Sequence, residues 1–281
     1  MAYLLGVIGN PISQSKSPLM HNKWLAEEGL DGYYQAFAIE LEKLEEAIVG
    51  MRALGIDGWN VTIPFKEAIM PFLDELDPAA KAIGAVNTVV RNGDKLIGRN
   101  TDGLGFVHSL LEKRSADQLN QASVLIIGAG GAAKGIYYAL AQYHPEKIVV
   151  TNRTQQRAEA LVCSISVPSP GFTLTIHEAQ ERLHEFDIII NTTSVGMIPN
   201  IKDMPLDITN ISKNALAADI IYNPLETSFL HDARLNGADT LNGVGMFVHQ
   251  GALAFSYWTG KHPNTEQAIK TIIQDQGGTI C

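Results

Sequence analysis

One stretch limits the fold more than any other: Val124-Leu125-Ile126-Ile127-Gly128-Ala129-Gly130-Gly131-Ala132-Ala133. An apolar run of strand length passes directly into a G-x-G-x-x-A turn and then into a helical segment, Ala132–Gln142. Each small residue has a mechanical reason. The first glycine permits a tight turn, the second lets a pyrophosphate approach the backbone, and the small third position lets the helix lie close to the strand. The first amides of that helix and its dipole then attract the anion. The plain alternative is an ordinary glycine-rich strand-to-helix turn. Against it stand the strand and the helix that the motif requires, both present here.

The rest of the chain continues this alternation. Ser123–Ile127, Lys147–Thr151, Asp187–Asn191 and Ala215–Ile221 read as buried strands, with a helix over Gln155–Val162 and a loop over Cys163–Gly171. Upstream, Tyr3–Ile8, Tyr34–Ile39 and Gly58–Ile63 read as strands. Helices are expected from Ser17-Pro18 and over Leu41–Leu54. After Gly243 come helices over Met246–Trp258 and Thr265–Gln274, the second opened by Asn264 and Gln267 as a capping box. Strand and helix alternating through 281 residues imply an α/β protein of two domains, at about 150 residues each.

Composition removes several function classes. Apolar residues are 46% of the chain, enough to build a core, and the formal charge of −9 disfavours nucleic acid as a partner. Cys163 and Cys281 form no CxxC pair, which excludes a disulfide framework or cysteine zinc site and fits a reducing cytosol. The histidines fall in no HExxH or HxxEH grouping, so no metal is expected. No apolar stretch reaches about 18 residues, and no basic region precedes the first apolar run. A cytoplasmic protein with no membrane partner is expected.

The strand after the glycine turn indicates which nucleotide. An NAD site usually offers an acidic side chain there for the ribose 2′-hydroxyl. Here the strand ends in Asn152-Arg153-Thr154, with Arg157 one helical turn on, and no Asp or Glu. An amide can bond ribose, and two guanidinium groups with a hydroxyl can hold a 2′-phosphate, so the residues favour NADP over two solvated surface arginines.

A nicotinamide cofactor calls for an acid or base beside the carbinol oxygen of its substrate. The first hundred residues carry polar clusters beside apolar runs: Ser13–Pro18, Asn60–Lys66, Gly84–Thr88 and Asn100–Gly103. Each has a bland reading. Ser17 fits a helix cap, Asn87 and Asn100 fit turns, Thr62 fits a strand, and Lys66 fits a solvated helix start.

The segments GNPISQSKSPLMHN, GWNVTIPFK, GAVNT, NTDG, GAGGAA, NRT, DIIYNPLET and GVGMFVHQG occur in this order between Gly9 and Gly251. Together they resemble the shikimate dehydrogenase family, within the wider shikimate/quinate dehydrogenase group. The resemblance implies an α/β substrate domain over residues 1–102 and a Rossmann-type NADP-binding domain over 103–242. It implies that the helices of 243–281 return to the first domain and that the active site lies in the cleft between the two. The implied reaction is NADPH-dependent reduction of 3-dehydroshikimate to shikimate, a step towards chorismate and the aromatic amino acids. A monomer and a homodimer are both compatible with it.

Carried over position by position, Lys66 and Asp102 resemble the catalytic pair, with Asp102 orienting Lys66. Ser15, Ser17 and Tyr222 resemble the groups that hold the substrate carboxylate, and Thr62, Asn87 and Gln250 those that bond the ring hydroxyls. Gly128, Ala129, Gly130, Gly131 and Ala132 with Asn152, Arg153, Thr154 and Arg157 resemble the NADP segments. Ile220 and Gly243 match positions bordering the nicotinamide. The chemistry is compatible: hydroxyl donors suit a carboxylate, and a site built to bond each hydroxyl rejects analogues lacking one. The rival readings are a quinate/shikimate dehydrogenase using NAD and a non-catalytic NADP-binding module. The second has no use for Lys66 with Asp102.

Overall fold

The computed structural model describes residues 2–168 and 171–278. Ser169 and Pro170, in the loop expected over Cys163–Gly171, and Cys281 lie outside the described residues. The elements run β1 (Tyr3–Gly9), α1 (Ser17–Glu27), β2 (Gly32–Ala38), α2 (Leu44–Ala53), β3 (Gly58–Val61), α3 (Phe65–Ala68), β4 (Glu75–Leu76), α4 (Pro78–Ile83), β5 (Thr88–Asn92), β6 (Lys95–Arg99), α5 (Asp102–Leu111) and α6 (Ala116–Asn120). They continue with β7 (Ser123–Ile127), α7 (Gly131–Ala141), β8 (Lys147–Thr151), α8 (Gln155–Ser164), β9 (Gly171–Leu174), α9 (Ile176–Glu181), β10 (Ile188–Asn191), β11 (Leu216–Asp219), α10 (Ser228–Leu235), β12 (Asp239–Leu241), α11 (Val244–Thr259) and α12 (Thr265–Asp275). One unit runs through Thr101 and takes in Gln250–Ile272; the other holds Asp102–His249 and the residues from Ile273 on.

In the first unit the sheet order is β2-β1-β3-β5-β6-β4. β1 pairs parallel with β2 and β3, while β5 runs antiparallel to β3 and β6. The carboxyl ends of β1, β3 and β6 and the amino end of β5 therefore share one edge. The sequence reading places no strands over 88–99. This hairpin is short and is closed by Gly93 at φ +61, so its partners rather than its period define it. Ile8, Trp59, Val61, Phe65, Ile69, Val86 and Val89 form the core beneath it.

The segment Gln250–Thr259 of α11 seats on this sheet through Trp258. Its indole Nε1 donates to the Val89 carbonyl at 2.9 Å, and a Cβ at Gly58 would lie 2.1 Å from that nitrogen. Gly58 is thus a point of close approach. Asn264 caps α12 by accepting from the Gln267 amide at 3.0 Å. Beneath α11 sits His21, fully buried and stacked on Tyr34 with ring centroids 4.2 Å apart and planes within 7°.

In the second unit the order is β12-β11-β10-β7-β8-β9, with every pairing parallel. The chain winds outward from β7 to β9, then returns to the other side of β7 for β10 to β12, which is the doubly wound order of dinucleotide-binding sheets. Alternate residues explain why both faces are covered. Val124, Ile126, Ile148, Val150, Ile188 and Ile190 enter one core, while Leu125, Ile127, Val149 and Ile189 enter the other. On the first face α5 presses on α7 so closely that a Cβ at Gly103 would lie 2.0 Å from the Gly135 carbonyl.

Burial pushes the His21 imidazole down to about 3, and among the described residues neither ring nitrogen has a hydrogen-bond partner. Above pH 6.5 the ring is neutral in the folded and the unfolded chain. As pH falls from 6.5 towards 3, the unfolded chain takes up a proton that the folded one refuses. Stability is therefore lost on acidification, by up to about 1.4 kcal/mol per pH unit. His21→Phe is expected to remove this slope, as read from urea midpoints of both proteins between pH 7 and pH 4. Parallel curves would count against it.

Candidate active site

The shared edge of the first unit gathers the polar clusters of its sequence. The Asn10 amide donates to the Ile63 carbonyl and the Thr62 amide to the Ile8 carbonyl, which fastens the exits of β1 and β3 together. The Val86 amide donates to the Lys66 carbonyl at 2.8 Å, and the Asn87 amide to the Arg99 carbonyl at 3.0 Å. The backbones carrying Thr62, Lys66 and Asn87 are fixed by neighbours distant in sequence.

Side chains continue the network inward. Asn87 is 2% exposed. Its Oδ1 accepts from the Thr101 amide at 2.8 Å and from the Thr88 hydroxyl at 3.0 Å, and its Nδ2 donates to Thr101 Oγ1 at 2.9 Å and to Gln250 Oε1 at 3.4 Å. Asn60, unassigned by the sequence reading, donates to the Asn87 carbonyl and to Thr88 Oγ1, so its Oδ1 faces Tyr34 and accepts that hydroxyl at 2.6 Å. Asn100 donates to the Ala85 carbonyl at 2.9 Å. Asn87 and Asn100 are thus buried cross-links and not merely turn residues.

Ser17 is the first residue of α1, with Lys16 in the capping position and Pro18 second, so it is not the cap. It is buried, and its hydroxyl faces the Tyr34 phenol. Asn22 grips the main chain of the same tyrosine, accepting from its amide at 2.8 Å and donating to its carbonyl at 2.9 Å. Ser15 Oγ accepts from the Ser17 amide at 3.3 Å, which leaves its own proton to donate outward. Ser15, Thr62, Lys66 and Gln250 are half-buried. Asp102 opens α5, directly after the Thr101 that Asn87 holds, and is buried.

In the second unit the exits of β7, β8, β10 and β11 meet at the switch point between β7 and β10. Gly128 has φ +111 and its amide donates to the Thr151 carbonyl at 2.8 Å; a Cβ there would lie 2.5 Å from Thr192 Oγ1. A Cβ at Gly130 or Gly131 would meet open space. Glycine is therefore required at 128 by the turn itself, whereas 130 and 131 lie where an anion would approach the first amides of α7, which lack intrahelical acceptors. Ala129 and Ala132 are half-buried beside them.

Asn152 donates to the Thr154 carbonyl at 2.9 Å and shapes the turn into α8, where Thr154 makes no capping bond. Arg153 and Arg157 are exposed, and among the described residues neither is in an ion pair. Tyr222 stacks on Phe247 at 5.0 Å. Gly243 admits the Ile220 carbonyl, which would lie 2.0 Å from a Cβ. His249 Nε2 lies 2.7 Å from Glu112 Oε1, and among the described residues no acidic, histidine and cysteine cluster could hold a metal.

The sequence reading missed Asp219 and Asn191, which close this edge. Asp219 ends β11 at 1% exposure and accepts from Asn191 Nδ2, the Thr227 hydroxyl and the Ile221 amide. Burial pushes its carboxyl up to about 6, and these hydrogen bonds oppose the rise. The signal was its place at the end of an apolar strand within DIIYNPLET, where parallel sheets present ligand loops.

Comparison with known proteins matches three segments of the chain. Residues 7–89 match the shikimate dehydrogenase substrate binding domain, residues 110–221 shikimate / quinate 5-dehydrogenase, and residues 243–273 the shikimate 5'-dehydrogenase C-terminal domain. The shikimate dehydrogenase (NADP(+)) of Bacillus subtilis strain 168 is 49% identical over all of both chains. A solved shikimate dehydrogenase in complex with NADP+ superposes with TM-score 0.91 at 40% identity, covering 98% of this chain and 96% of that one. The shikimate 5-dehydrogenase of Listeria monocytogenes, in complex with shikimate and NAD, does so with TM-score 0.90 at 36% identity, over 97% and 96%.

Replacing Asn87 by alanine strands the buried Thr101 amide. Asn87→Ala is expected to cost about 1–3 kcal/mol of stability, the penalty for a buried polar group left unpaired. Urea unfolding reads it, and an unchanged midpoint would mean that the amide has another partner.

Proposed function

This chain belongs to the shikimate dehydrogenase family, and we propose that it interconverts 3-dehydroshikimate and shikimate with NADP on the route to the aromatic amino acids. One observation carries the reading: 49% identity to an NADP-dependent enzyme of that name extends over the whole chain, and so over both units. The chain is an oxidoreductase, and its ligands are small molecules.

The residues of the second unit fit the dinucleotide. Gly130 and Gly131 leave room at the amides of α7, and Arg153 and Arg157 stand without acidic partners where a 2′-phosphate would need charge. Bound NADPH supplies the hydride that turns the C3 carbonyl of 3-dehydroshikimate into the C3 hydroxyl of shikimate. Gly128–Ala132 hold the pyrophosphate, Asn152–Thr154 and Arg157 the phosphorylated ribose, and Ile220 and Gly243 border the nicotinamide.

Lys66 donates a hydrogen bond to the carbonyl oxygen, stabilises the developing alkoxide and delivers the proton. Asp102 accepts from a neighbouring ring hydroxyl. Thr62, Asn87 and Gln250 bond the ring hydroxyls, and the Asn87–Gln250 contact presets two of them. Ser15 and Ser17 bind the carboxylate, with Tyr222 assigned to the same group. Ser15 accepts from the Ser17 amide and keeps its own proton to donate.

We take residues 1–102 with the helices of 243–281 as the substrate-binding domain and 103–242 as the NADP-binding domain. The protein is a monomer or homodimer, which sedimentation distinguishes. We propose a cytoplasmic location on the strength of the enzyme family it belongs to.

The test is absorbance at the reduced-nicotinamide band with shikimate or quinate and NADP or NAD. Shikimate with NADP is expected to give the highest kcat/KM. Preference for quinate with NAD, or NADP binding without turnover, would overturn the reading. Lys66→Ala is expected to lower kcat by at least about 10²-fold, within the range of a lost acid, with KM for shikimate within a small factor. Arg153→Ala is expected to raise KM for NADP much more than for NAD; equal loss for both would remove the 2′-phosphate role.

A further inference from the structure

We propose that Asp219 is a positioning residue for hydride transfer, acting through the segment Ile220–Tyr222; this rests on the function proposed above. Three donors from three elements converge on its carboxyl. The Ile221 amide, just beyond β11, donates to Oδ1 at 3.0 Å. The hydroxyl of Thr227, the cap of α10, and Nδ2 of Asn191, at the end of β10, donate to Oδ2 at 2.8 and 3.1 Å.

The donor count explains the residue type. Asn191 has its amide orientation imposed, because its Oδ1 accepts from the Thr193 amide and hydroxyl and its Nδ2 donates to the Val195 carbonyl. It therefore presents N–H to Asp219. An ionised carboxylate accepts from all three donors and donates to none. An asparagine at 219 has one acceptor oxygen, so its NH2 would face either the Asn191 amide and Thr227 hydroxyl or the Ile221 N–H, and no orientation accepts from all three donors. Among the described residues no cation pairs with Asp219, so neutral hydrogen bonds alone hold its charge.

The contacts also specify what Asp219 positions. The Ile220 amide donates to the Asn191 carbonyl at 3.1 Å, and the Gly243 amide to the Ile221 carbonyl at 2.9 Å. The Asp219–Ile221 bond completes this clamp on the segment that carries Ile220 and Tyr222, proposed for the nicotinamide border and the carboxylate. The phosphate-binding turn is fastened separately: the amide and the hydroxyl of Thr192 both donate to the Ile127 carbonyl, and the Gly128 amide donates to Thr151. Loss of the Asp219 clamp should therefore shift the reacting end of the cofactor and leave its phosphate anchors in place.

The experiment uses the full-length enzyme with NADP and shikimate, either protiated or deuterated at C3. In Asp219→Asn, kcat per NADP-titrated site is expected to fall about 10-fold or more, since a displacement near 1 Å can cost about 10² in rate. KM for NADP should stay within about two-fold, and the deuterium isotope effect on kcat should rise as the hydride step becomes slower. Thr227→Val removes one donor but spares the Ile221 contact, and should keep kcat near wild type. Should Asp219→Asn not fold, Asp219→Glu, which moves the charge by one methylene, should show the same split between kcat and KM.

A merely structural role predicts fewer active sites, with kcat per site and isotope effect unchanged, and that result overturns the proposal. Wild-type protein that binds NADP but does not oxidise shikimate overturns the proposed function, and the role of Asp219 with it. Wild-type turnover matched by Asp219→Asn overturns the role of Asp219 alone.

Discussion

Parallel pairing about one interior strand underlies the arrangement of both units. β1 is flanked in parallel by β2 and β3, and β7 by β8 and β10. Parallel neighbours end on the same edge, so loops far apart in sequence leave the sheet side by side. In the first unit this brings together the segments after β1 and β3. In the second it places the glycine turn after β7 between the exits of β8 and β10, where the winding changes direction.

Two buried polar groups convert those edges into ordered surfaces. Asn87 ties β5 to the end of β6 through Thr101 and reaches Gln250, and Asp219 ties β10, β11 and α10 together. Each satisfies several donors or acceptors at once. A buried polar network is stabilising only when its members are all paired, so such residues leave little freedom in geometry. They also sit beside the residues assigned to substrate and cofactor, which couples local packing to the site.

Most of the strands of the second unit were legible because both faces are buried, which writes continuous apolar runs into the sequence. The turn at Gly128 was legible for a related reason: a positive φ and a close threonine leave room only for glycine. The hairpin over 88–99 was not, since its residues Thr88, Asn92, Lys95 and Arg99 carry no clear apolar period. Asn60, Asn191 and Asp219 were equally silent as site residues. A buried asparagine and a loop asparagine look alike until the donors and acceptors around them are placed.

By itself, the order of residues determined the α/β class, the glycine-rich turn after β7, the absence of an acid directly after β8 and the family. These depend on local patterning, short motifs and their order, all of which survive in one dimension. Only the tertiary structure decided that Asn87 meets Gln250 and that Asp219 gathers three donors. Each rests on hydrogen bonds between groups whose separation in the chain ranges from two residues to 163, and they exist only when folding brings the second partner into reach.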